Sequence, residues 1–161
     1  MAQITDIETH RAFWRDEIVA RNNALQGFTE LENNEALDTI KGTGIDSPFF
    51  VLLPAEFRTV DQRTENVQRT INFGFFILKA ATDKQDLAEI KTIQNECHQL
   101  CEEIVARLGY LNEDKEFFGK YHATATDYEP IGQLFDNHYG IQCFGSFISK
   151  TPIRHDATKW T

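Results

Sequence analysis

Residues 70–109 read TINFGFFILKAATDKQDLAEIKTIQNECHQLCEEIVARLG, and the fold turns on the change of rhythm inside them. The opening run, 70–80, is apolar and aromatic on both sides of the chain and of strand length, as in a strand covered at least in part on both faces. From about 83 the rhythm becomes helical. Leu87, Ile90, Cys97, Cys101, Ile104 and Leu108 fall on one stripe, which predicts a long helix over 83–108. Thr82 and Gln85 have the spacing of a capping box, and Gly109 supplies the expected stop.

Working outward, SPFFVLLPAEF at 47–57 is a second apolar run of strand length. Pro54 suits a strand end or an edge there, because it has no amide to give a ladder. The intervening RTVDQRTENVQR (58–69) is charged, free of glycine and too long for a tight turn, so a hairpin with a long projecting loop is expected. Upstream, residues 4–23 carry Ile4, Ile7, Phe13, Trp14, Ile18 and Val19 at near-helical spacing. Residues 26–47 are polar without a clear period and read as a long connection holding a short element around 35–40, a candidate lid, contact loop or mobile arm.

Downstream, KEFFGKYHATATDYEP (115–130) alternates: Phe117, Tyr121, Ala123 and Ala125 take one face, Phe118, Lys120, His122, Thr124 and Thr126 the other. IQCFGSFISK (141–150) is the last strand, and 151–161 form a polar tail ending near Trp160. The expected fold is therefore α+β: an antiparallel sheet of about four strands in two hairpins, packed with a long central helix, plus an N-terminal helix. One domain spans 1–150, followed by the tail.

Composition narrows the function. Sixteen basic against 25 acidic residues leave a net charge of -9, which disfavours nucleic acid and anionic membrane surfaces as partners. No apolar run reaches the roughly 18 residues of a membrane span, and no signal peptide is expected. Three cysteines, two of them a helical turn apart, fit a reducing compartment better than a disulfide framework.

Several stretches invite a chemical reading. Asp136, Asn137, His138 and Tyr139 precede Gly140 in LFDNHYGIQCFGSFISK (134–150). Asp136 and His138 could form an acid/base or metal pair, but Asp, Asn and Gly between two strands are first of all turn residues. Cys97 and Cys101 are spaced as two zinc ligands could be, yet both sit on the apolar stripe, where free cysteine acts as a small hydrophobe. His98 points away from it. The glycines of KGTGIDS follow no strand and open no helix, so no phosphate loop is expected. Neither catalytic, cofactor-binding nor metal-ligating residues are assigned. Arg58, Arg63 and Arg69 in the 58–69 stretch, and Trp160 in the tail, are instead assigned to contacts between subunits.

The order of elements, together with FDNHYGIQCFGSFIS near the end and PFFVLLPAEF before the long loop, resembles the tail-terminator (tail-completion) proteins of long-tailed bacteriophages and related neck or tail-ring proteins. That resemblance implies a non-enzymatic protein that forms a ring, typically hexameric, capping the tail tube or joining it to the head. It implies tail-tube and neck proteins as partners, and a path from the host cytoplasm during assembly to the virion tail. A reading from another class is a ligand-binding or enzymatic α+β domain with a cleft by the 26–47 connection, using His122, Asp136 and His138.

Overall fold

Apolar on both faces through its middle, Gln68–Ala80 is the longest strand among the described residues, and three of the other six described strands pair directly to it. The computed structural model describes residues 3–31, 48–60, 68–114, 117–121, 123–135 and 137–149. In chain order these are α1 (Ile7–Ala12) running into a π-helical segment Phe13–Val19, then β1 (Gly27–Glu30), β2 (Phe49–Leu52), β3 (Glu56–Val60) and β4 (Gln68–Ala80). There follow α2 (Leu87–Asp114), β5 (Lys120–Tyr121), a 3-10 turn Ala123–Ala125, β6 (Asp127–Leu134) and β7 (His138–Ile148).

The α+β class and the long central helix are as expected, but the sheet is not a pair of two-stranded hairpins. It has seven strands among the described residues and is mixed, because β1 runs parallel to β2. Two breaks account for most of the difference. The run 47–57 is split at Leu53, Pro54 and Ala55 into β2 and β3, both antiparallel to β4. With β7 taking the whole other edge of β4, β2 and β3 must lie end to end. Pro54 thus sits between strand ends, where its missing amide costs nothing. The run 115–130 is likewise divided into β5, the 3-10 turn and β6, with β5 and β6 sharing the outer edge of β7. The predicted alternation fails at Phe118, which is buried together with Phe117. The short element around 35–40 and the tail 151–161 lie outside the described residues.

Both boundaries of the long helix also differ. Asp86, not Thr82, holds the first turn: its Oδ1 accepts the amides of Ala88 (2.9 Å) and Glu89 (3.1 Å). Glu89 reaches back to accept the amides of Thr82 and Asp83 at 2.8 and 3.0 Å. Those two bonds hold its carboxyl below the usual range. At the other end the helix runs through Gly109 to Asp114, because nothing in sequence or packing forces a left-handed residue there. The stripe itself is as predicted from Cys97 to Leu108, all buried against the sheet. Leu87 is the exception: it lies 71% exposed, placed outside the stripe by the later start.

The core lies between the helices and one face of the sheet. Trp14 is fully buried at its centre, stacked on Phe50 (5.6 Å between centroids) and tilted on Phe73 and Phe75 (4.9 and 5.2 Å). The π-helical segment makes this possible. Its wider turn, marked by the Ala20 amide bonding Arg15 O at 2.9 Å, buries Phe13, Trp14, Glu17, Ile18 and Val19 together. In the centre of the sheet two glycines accept rings from the opposing strand. Phe73 lies over Gly145 and Phe144 over Gly74, and a Cβ on either glycine would fall within 3 Å of ring carbon. Gly140, expected in the turn, lies inside β7, where a Cβ would stand 1.9 Å from Ile77 O. The turn is made by Phe135 with φ of 46° and by Asn137, whose Nδ2 donates to Ala81 O at 2.7 Å.

Candidate functional site

Two of the residues assigned to subunit contacts, Arg58 and Arg69, lie in strands and not on a loop. Arg58 belongs to β3 and Arg69 to β4, in the adjacent pairs Arg58↔Thr70 and Thr59↔Arg69. Strand alternation therefore sends them to opposite faces of the sheet. The polar pattern read as a projecting loop is the solvent-facing half of a hairpin, and only 61–67 lie between its strands. Arg58 is exposed and bonds Glu56 through Nε at 2.9 Å, while Glu56 also accepts from Asn72 at 3.1 Å. Those two bonds lower the Glu56 carboxyl, Arg58 contributing most. Arg63 and Trp160 lie outside the described residues.

Arg69 turns toward α1. Its Nη1 donates to Thr5 O, and the guanidinium closes one end of a groove of about 770 Å³ lined also by Asp6, Ile7, Glu8, Arg11 and Phe57. A capping box builds the opposite wall. Asp6 Oδ1 accepts the Thr9 amide at 2.8 Å, and Thr9 Oγ1 accepts the Asp6 amide at 3.0 Å. The Thr9 amide is also the main reason the Asp6 carboxyl titrates low. Arg11 is occupied by Glu8 (3.0 Å) and Glu30 (2.7 Å). Arg69 has no carboxylate within ion-pair distance among the described residues. Ile7, at the first helical position, is 55% exposed on the rim.

A second groove, of about 730 Å³, runs between the end of the π-helical segment and the middle of α2. Glu17 forms its wall, nearly buried and held by both Nε (2.9 Å) and Nη2 (3.0 Å) of Arg21. Glu103 and Arg107 face it from α2. Acid and base are balanced here, and no unpartnered buried group points into the space.

Of the residues weighed for chemistry, His138 is described: its Nδ1 bonds Phe135 O at 2.9 Å and its ring stands edge-on to Phe49. It closes the β6–β7 turn. His122 and Asp136 fall outside the described residues, so their convergence with His138 has no structural account. The three cysteines are all buried. The free thiols of Cys101 and Cys143 meet in a hydrogen bond across the helix–sheet interface, which with burial pushes the Cys143 thiol up, and burial raises Cys97 to about 12. Thiols held this strongly protonated are poor ligands and nucleophiles. Among the described residues no group of three His, Cys, Asp or Glu side chains could hold a metal ion.

No family model, no curated protein and no solved structure matches this chain. Its functional surface must be read from geometry. Two features escaped the sequence reading, namely the ion pair of buried Glu17 with exposed Arg21 and the exposure of Ile7 and Leu87 at the first positions of α1 and α2. The signal for the latter was present in both cases: an aspartate immediately before an isoleucine or leucine, which caps the helix and turns that residue outward.

The sheet also has a second apolar face. Phe49, Val51 and Leu78 are buried away from the helices, with Leu31, Phe76, Ile131, Leu134 and Phe135 packed around them. Phe144 on the same face remains 45% exposed.

Proposed function

We propose that the chain is a non-enzymatic structural subunit of a phage or prophage tail, assembling as a ring that terminates the tail tube or joins it to the head. The observation that supports it best is Phe144, 45% exposed on the face of the sheet that α1, the π-helical segment and α2 do not cover. Large apolar residues left exposed on a small acidic domain, Phe144, Leu87, Ile7 and Tyr110, fit burial against other protein. Subunit contacts are assigned to Arg58, Arg63, Arg69 and Trp160, with tail-tube and neck proteins as further partners. The ring is hexameric in this reading. It assembles in the bacterial cytoplasm and ends in the virion tail, without sequence-specific contact to nucleic acid.

Light scattering across a concentration series, with co-sedimentation on purified tail tubes, tests the proposal. Concentration-dependent growth to a closed oligomer, or binding of the chain to tube ends, is the expected result. A chain that stays monomeric at high concentration and leaves tail tubes bare refutes it.

A further inference from the structure

The two exposed helix-start residues lie at opposite ends of the long central strand. Arg69 and the groove it closes stand at the beginning of β4, while Ala81 through Leu87 follow its end. A strand of 13 residues separates them by about 40 Å at roughly 3.3 Å per residue. At one end is a concave surface lined by Phe57 with Ile7 on its rim, and an arginine with no carboxylate partner among the described residues. At the other end is a leucine 71% exposed, flanked by Asp83 and Asp86, with Lys84 the one base beside them. One is apolar with a guanidinium that is held by the Thr5 carbonyl and faces no carboxylate among the described residues. The other is apolar with carboxylates that carry charge beyond the amides they accept.

Building on the assembly reading, we infer that Leu87 of one copy seats in the Ile7–Phe57–Arg69 groove of a second copy, with Asp83 facing Arg69. Knob and groove are different surfaces of the same chain, so the contact is heterologous: each copy offers one knob and one groove, and repetition closes into a ring when the rotation allows. Burying Leu87 and Ile7 removes two of the largest exposed apolar side chains from water. Charge complementarity between Asp83 and Arg69 fixes which end meets which. Within the groove Glu8 is paired with Arg11 and Asp6 accepts the α1 cap amide, which leaves Arg69 as the cation that meets the incoming carboxylate.

A heterologous contact has a mixing signature that a two-fold contact lacks. Leu87→Glu leaves a sound groove and no knob, whereas Ile7→Glu leaves a sound knob and no groove. Mass photometry and light scattering on each variant alone should give the mass of one chain where the wild type is oligomeric. Mixed at equal amounts, they should give a one-to-one dimer that grows no further. Both positions are exposed, so both variants should keep their far-UV circular dichroism; if either does not, Leu87→Ser and Ile7→Ser replace them. An oligomeric wild type whose mass neither variant changes overturns this contact and leaves the assembly reading standing. So does a mixture that stays at the mass of one chain. A monomeric wild type also overturns the contact, and then tail-tube binding alone decides the assembly reading.

Discussion

The imidazole of His10 is 99% removed from solvent, one turn before the central tryptophan, and accepts the Trp14 indole N–H at 2.9 Å through Nε2. Burial, reinforced by the neighbouring Arg11, lowers its pKa from 6.5 to about 4. The folded state therefore disfavours the proton that the unfolded chain accepts, and the stability tied to neutral His10 is complete above pH 6.5. It is lost as the pH falls from there toward 4, at 1.36 kcal/mol per unit of difference, or about 3 kcal/mol in full. Between about pH 7.5 and 4.5 the same linkage removes about 2.5 kcal/mol. Urea unfolding followed by far-UV circular dichroism across that range measures it, with His10→Gln as the control that cannot titrate. The lowered carboxyls Asp6, Asp16, Glu56 and Glu89 act in the same direction but at lower pH, and they are common to both proteins. The wild type should lose more stability than the variant by about 2 to 3 kcal/mol over the window. An equal loss in both proteins would show that His10 is not held neutral by the core.

Other perturbations separate what the sequence suggested from what packing imposes. Gly140→Ala places a Cβ on the Ile77 carbonyl, a backbone atom that cannot step aside, and should cost about 3 kcal/mol or prevent folding, read from the urea midpoint. Gly109→Ala meets open space within a helix and should stabilise by about 0.5–1 kcal/mol, seen as a higher melting temperature. Cys101→Ala should cost about 1–2 kcal/mol through lost packing. Chelators should leave wild-type and variant melting unchanged, and stoichiometric zinc in the purified protein would contradict that.

The parts of the fold legible in the sequence are those set by simple periods or apolar runs. Cys97, Cys101, Ile104 and Leu108 could be placed because α-helical spacing repeats for several turns, and 70–80 because an apolar, aromatic run of strand length marks a strand covered on both faces. The boundaries of α2 were missed because caps are local contests: Asp86 outcompeted Thr82, and Gly109 found no reason to stop the helix. Proline divided one apolar run into β2 and β3 without changing its composition, so two strands read as one. The π-helical turn breaks the period and brings Val19 onto the buried face, whereas Glu17, four residues after Phe13 and three after Trp14, lies on that face by spacing and only its charge argues against burial. Of the proposed contact residues, Arg58 and Arg69 were picked out by type but put on a loop. Their opposite directions follow only from the β3–β4 register.

The ladder between β4 and β7 governs how fast this chain can reach its native state. It joins Thr70 to Ile148 and Ala80 to His138, so closing it encloses α2, β5 and β6 in one loop. Such distant pairing must lose the entropy of the loop before any contact repays it, which places refolding among slow, non-local topologies. α2 can form early from its own turns. On the ribosome, the apolar strand β4 emerges long before its partner β7, with one edge able to take only β2 and β3. The order of synthesis thus leaves the other edge of this long apolar strand waiting for β7, the last of the described strands, a window in which chaperone binding should matter most.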